Sequence, residues 1–244
     1  MFAPLRQLTG IITIILVLTL GATGLKARGF DKPEQLVLQS EGVFKSFMSD
    51  PNMEWLRKNI GRAKGIFIIP QMLRGGFFIG GSGGSGVVLA RDPQTGEWSY
   101  PAFYTIGSLS LGLQMGADVS EIILMIMTNS GMEAFLSTEF KLGGDISIAA
   151  GPVGASAKVQ TVDILAFGRS KGAFGGVSVE GAIIAPRHEW NEMYYGKPVL
   201  PVDILIHHTV RNAQADNLVA AMPKTDVLLP ESKKTRPQGK PLGY

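Results

Sequence analysis

With 244 residues, 45% of them hydrophobic and 18% charged, the chain is long enough for one sizeable core. It has no cysteine, which excludes disulfides, thiolate metal sites and cysteine nucleophiles. The formal charge of +3 sits at the ends. Residues 1–28 carry three basic groups and no acid, 223–244 carry five against two, and 29–222 are left at −3, too acidic for a nucleic-acid surface.

The first segment has the layout of an export signal. Arg6 precedes the apolar run Ile11–Leu20, and Ala22-Thr23-Gly24 supplies the small-x-small pattern of a cleavage site. Residues 1–24 are therefore expected to be a signal peptide; an anchor retained through residues 7–25 is the competing reading, since that run is just long enough to span a bilayer. Asp31-Lys32-Pro33-Glu34 has a helix-start pattern, and Leu36, Val43, Phe44 and Phe47 share one helical face over 33–48. Asp50-Pro51 opens a second short helix through Trp55, Leu56 and Ile60, ending near Gly61.

From Gly65 the period becomes two. Leu109, Leu111, Leu113 and Met115 alternate with small or polar residues as in a half-buried strand, and so do Ile146 and Ile148, and Val177, Val179 and Gly181. The apolar run 122–127 is assigned as a buried strand entering a helix over 130–137, with Ser130 and Glu133 as its capping box. The chain has 31 glycines, most of which interrupt these alternating runs, and this implies close backbone approach, bends or bulges. The expected fold class is α+β, with N-terminal helices followed by a glycine-rich, mostly antiparallel sheet or barrel and one or more packed helices. The domain is expected over 30–210, and 223–244 has the composition of a disordered Pro/Lys-rich tail.

Two patterns imitate catalytic motifs. Gly81-Ser82-Gly83-Gly84-Ser85-Gly86 matches G-x-G-x-x-G, but Val87-Val88-Leu89-Ala90 follows it where a dinucleotide loop needs a helix, so a glycine-rich hairpin is expected. Gly80-Gly81-Ser82-Gly83-Gly84 matches the nucleophile elbow G-x-S-x-G, which makes a serine hydrolase using Ser82 the enzymatic alternative. His188, His207 and His208 lack ligand spacing, since adjacent residues of a strand or helix diverge. No catalytic residue, metal or cofactor is assigned. Between Glu54 and Asp92, by contrast, Arg57, Lys58, Arg62, Lys64, Arg74 and Arg91 occur with no acid, a composition suited to phosphate.

A set of short motifs recurs in order along the chain. They include Ala63-Lys64-Gly65-Ile66, Gly96-Glu97-Trp98-Ser99-Tyr100-Pro101-Ala102-Phe103, Leu142-Gly143-Gly144-Asp145, Ala150-Gly151-Pro152-Val153-Gly154, Ser170-Lys171-Gly172 and Asn191-Glu192-Met193-Tyr194-Tyr195-Gly196. In this order, from about Pro33 to Leu205, they resemble the SYLF domain, described as a yeast actin-binding domain and later as a phospholipid-binding one. The chain departs from that pattern at Glu121, at Phe167-Gly168 and at Ala155. The resemblance implies a non-enzymatic domain that binds anionic phospholipid membranes. With an export signal the chain resembles the bacterial members, so actin and phosphoinositides are not expected as its natural partners. A protein of the cell envelope or periplasm is the alternative partner, and nucleic acid is not expected. Charge, together with place in the family motifs for Lys64, Arg169 and Lys171, nominates Arg57, Arg62, Lys64, Arg74, Arg169 and Lys171 as lipid contacts.

Overall fold

Helix α1 (Lys32–Ser49) buries Pro33, Leu36, Val37, Ser40, Val43, Phe44 and Phe47, and these steps of three and four include all four predicted apolar positions. The computed structural model describes residues 32–76, 79–111, 116–152, 162–170 and 179–224. The leader, the Asp31 cap, Lys171 and the tail beyond Lys224 lie outside them. Asp50 stops α1 ahead of Pro51, whose ring disfavours helical geometry in the residue before it, and its carboxylate accepts from Asn52 N. A 3₁₀ turn, α2 (Glu54–Asn59) and a second 3₁₀ turn (Ile60–Arg62) lead into the sheet.

The strands are β1 (Gly65–Gly76), β2 (Ile79–Ala90), β3 (Ala102–Leu111), β4 (Gly116–Ile126), β5 (Phe140–Lys141), β6 (Ile148–Ala150), β7 (Ile164–Ser170) and β8 (Ile183–Pro186). They form one sheet in the order 5-8-3-2-1-4-7-6, antiparallel except for the β6–β7 pair. The class is the expected α+β. Alternation along β1, β2 and β4 divides two cores. Ile66, Ile68, Val87, Leu89, Ile123 and Met125 pack with α1, whereas Phe67, Ile69, Val88, Ile122 and Leu124 pack with Phe135 and Ile204 on the other side.

Pro70 lies in the central strand β1, where it cannot donate a ladder bond. The register slips by one residue between Ile69 and Met72 against β4, and between Ile68 and Gln71 against β2, so Pro70 occupies a bulge. The bulge accounts for the neighbouring glycines. A Cβ at Gly86 would stand 2.2 Å from the Ile68 carbonyl oxygen, and one at Gly84 2.6 Å from that of Gln71. The glycine run is thus the body of β2, one arm of the glycine-rich hairpin that it forms with β1, as the sequence suggested.

Other expectations need correcting. Leu109 on β3 is 90% exposed, so alternation did not bury it; Leu113 and Met115 of the same predicted run lie outside the described residues. Around Val179 the chain makes a turn, with Gly181 at φ +79°, and the strand begins only at Ile183. Helix α3 (Asn129–Ala134) is capped by Thr128, whose hydroxyl accepts from Gly131 N, and not by Ser130. Three further helices carry no strong sequence signal: α4 (His188–Tyr195), α5 (Pro201–Leu205) and α6 (Asp216–Ala221). Ala215, Leu218 and Met222 belong to the same core as α1, so the packed chain continues beyond position 210. Among the described residues no helix is long and apolar enough to cross a membrane.

Candidate functional site

Arg169 is the most constrained of the predicted contacts. Its Nε and Nη2 both lie 2.6 Å from Glu121 Oε2, Nη2 donates to Ser46 Oγ at 2.6 Å, and Nη1 is 3.5 Å from Asp50 Oδ2. The guanidinium also sits over the Phe47 ring, and only 15% of the side chain is exposed. Neighbouring strands make the first contact, since Glu121 of β4 is the register partner of Arg169 on β7. The arrangement clamps the C-terminal end of α1 onto the sheet and uses up the charge that was assigned to a headgroup.

The others separate into two places. Lys64 precedes β1 and Arg74 lies near its far end, ten residues on, or about 33 Å along a strand. Arg74 faces its register partner Asp118, whose carboxyl is held below the usual range by hydrogen bonds from Ser120 and Ser170 and, more weakly, by Arg74 itself. Lys171 lies outside the described residues. Arg57, Arg62 and Lys64 remain together, on α2 and the 3₁₀ turn that feeds β1. Arg57 donates to the carbonyls of Met48 and Asp50, Arg62 to the neutral Asn59, and none of the three makes an ion pair among the described residues. Arg91 joins them at the end of β2, its backbone N bonded to the Lys64 carbonyl and its Nε to that of Ala63. Exposed Lys58 is neutralised by Glu54 four residues earlier.

The hydrolase motif dissolves in the structure. Ser82 is in mid-strand, not on a strand-to-helix elbow, and its Oγ lies 2.7 Å from Ser108 Oγ on β3. The imidazoles bond elsewhere: His207 approaches Asp203 at 3.4 Å and His208 the Leu205 carbonyl at 3.2 Å. No group of three His, Asp or Glu side chains among the described residues could hold a metal ion.

Sequence reasoning missed a cleft of about 420 Å³ beside the N-terminal half of α1. Lys32, Gln35, Leu36 and Gln39 form one wall, at the helical spacing visible in the sequence. The sheet supplies the floor and α4 contributes Trp190. Arg187, just before α4, stacks on Trp190 at 3.7 Å and donates to Ser85 Oγ at 2.9 Å. No single-segment pattern could bring these elements together.

Geometry therefore defines an α+β domain, with a cationic turn at one place and, at another, a cleft lined by amides and a single lysine. Comparison with known proteins places it further. Residues 107–225 match the Ysc84 family model, described as Las17-binding protein actin regulator. The chain is 34% identical over 165 residues to SH3 domain-containing YSC84-like protein 1 of Homo sapiens, covering 65% of this chain and 48% of that protein. It is 37% identical over 145 residues to LAS seventeen-binding protein 3 of Saccharomyces cerevisiae and 36% identical to Protein YSC84 of the same yeast, covering 55% of this chain and 31% and 30% of theirs. The chain carries a Ysc84 (SYLF) domain, as its ordered motifs suggested. It spans about half the length of the mammalian relatives that it matches, and the family and the yeast LAS seventeen-binding protein 3 are named for binding or regulation, not for an enzyme activity. No solved structure matches it.

Proposed function

We propose that this chain is a non-catalytic binding domain that docks on anionic phospholipid membranes, and that it does so outside the cytoplasm, at the cell envelope. One observation carries the reading: Arg57, Arg62 and Lys64 stand together with Arg91 at the entry to the sheet, and no carboxylate pairs with them among the described residues. Trp55 and Leu56 of the same segment are buried and anchor it, while Arg57 and Arg62 are exposed and Lys64 and Arg91 half-buried. Unpaired cations on an anchored segment suit phosphates, whereas Arg169 acts as a clamp. A basic residue near an anionic surface contributes about 1 kcal/mol, so removing three weakens binding by roughly 150-fold.

The test is co-sedimentation of the full chain with phosphatidylglycerol-containing vesicles against pure phosphatidylcholine. Binding should require the anionic lipid, weaken with added salt, and fall steeply in the Arg57→Ala/Arg62→Ala/Lys64→Ala variant. Equal binding to neutral vesicles, or full binding by the triple variant, refutes the mechanism. The names of the family and of its yeast member favour a second reading, a protein-interaction module, whose partner here would belong to the cell envelope. Stoichiometric capture of one protein by the triple variant, with vesicles left unbound by the parent chain, would select it.

A further inference from the structure

We propose that the cleft beside α1 is a binding site for a neutral, polyhydroxylated ligand, a glycan or the sugar head of a glycolipid. The site is separate from the cationic turn, since Gln35 and Asp50 lie about 22 Å apart along the helix axis.

The floor of the cleft is built row by row. On the α1 side of the sheet, Ile68, Val87 and Phe103 form an apolar row across β1, β2 and β3. Beyond the bulge the next row is polar, with Gln71 opposite Ser85 and Ser85 opposite Thr105. The row after that is Leu73, Gly83 and Gly107. At Gly83 a Cβ would come no closer than 3.7 Å to any heavy atom, so the missing side chain leaves open floor there.

Three carboxamides surround this floor: Gln35 and Gln39 from α1, and Gln71 from β1. None of them hydrogen-bonds to another described residue. Each offers an acceptor oxygen and two N–H donors, the complement of hydroxyl groups that both donate and accept. Ser85 adds a hydroxyl whose oxygen accepts from Arg187, leaving its own proton to donate. Trp190 closes the end with an apolar ring, fixed by the stacked guanidinium of Arg187 and by an edge contact with Phe103. An aromatic wall with a few convergent polar groups is the common build of a small-molecule site, and the volume falls within the usual range of about 300–1,000 Å³.

Charge decides the class of ligand. No carboxylate lines the cleft among the described residues, and Lys32 at its mouth is its one cationic lining side chain there. Phosphate recognition calls for a cluster of cations or a bidentate arginine, and the guanidinium nearest the cleft is committed to Trp190 and Ser85. A single ammonium beside three amides favours an uncharged polyol, with room for at most one acidic substituent.

The full chain is screened on an array of neutral oligosaccharides that includes chitotriose and maltotriose, and hits are titrated by tryptophan fluorescence. At least one neutral glycan should bind and change the emission. Gln39→Ala/Gln71→Ala should weaken that binding by about thirtyfold, roughly fivefold for each lost amide hydrogen bond. These side chains are exposed, so the variant retains its fold, which thermal melting verifies. The Arg57→Ala/Arg62→Ala/Lys64→Ala variant should bind the glycan unchanged, which separates this proposal from the membrane reading. Phosphatidylcholine vesicles bearing digalactosyl diacylglycerol distinguish a lipid-borne sugar, retained on the vesicle, from a free one. Absence of any neutral hit, or undiminished binding by the double glutamine variant, overturns the proposal.

Discussion

Replacing Arg169 by methionine keeps an unbranched stem over Phe47 while removing the guanidinium and its contacts with Glu121, Ser46 and Asp50. Hydrogen bonds to charged groups contribute about 1.5–3 kcal/mol each. Glu121 is 34% exposed and Asp50 sits at 3.5 Å, so solvent weakens both and the low end applies. Counting the Glu121 and Ser46 contacts at that end gives a loss of about 3 kcal/mol. In a domain of this size each kcal/mol lowers Tm by 2–4 °C, so melting followed by circular dichroism should fall by about 9 °C. Vesicle binding measured well below the lowered Tm should stay at the parent level. Pairing the substitution with Glu121→Gln should cost less than the sum of the two, since the partners share one interaction. A Tm shift under about 2 °C accompanied by lost vesicle binding would refute the reasoning and return Arg169 to the lipid surface.

Thr128→Ala should cost about 1 kcal/mol by chemical denaturation, while Ser130→Ala stays within about 0.5 kcal/mol; the reverse order would show that the cap has been misplaced. Gly86→Ala forces a Cβ to 2.2 Å from the Ile68 carbonyl and should lower soluble yield and Tm sharply. Gly42→Ala, in mid-helix with nothing within 4 Å of the new carbon, should raise stability by about 0.5–1 kcal/mol, and equal effects at both sites would contradict the bulge. Burial pushes the phenols of Tyr104, Tyr194 and Tyr195 well above their ordinary value, with Glu34 adding to the shift at Tyr194. The folded state binds these protons more tightly, so their contribution to stability is complete below about pH 10 and is lost as pH rises beyond it. Absorbance at 295 nm should show the three ionising only together with unfolding, and smooth titration near 10 would contradict their burial.

What lay within one segment was legible in the sequence. The buried face of α1 and the passage from helical to alternating period after Gly65 follow from side-chain spacing, and the apolar run 122–127 was legible as a buried strand leading into α3, although the strand itself ends at Ile126. The ordered glycine and aromatic motifs also carried the family. Contacts between distant segments were decided only on folding. Arg169 meets Glu121 across 48 residues and Ser46 across 123, and charge counting cannot tell a clamped cation from an open one. Alternation puts Leu109 on the side of Phe103 but is silent about what covers it, and Leu109 is 90% exposed where Phe103 is buried. The cleft needs α1, β1, β2, β3 and α4 at once. Periodicity records which way a side chain points along its own element, whereas burial, pairing and cavities depend on the element that arrives opposite, and that is set by the packing of the whole chain.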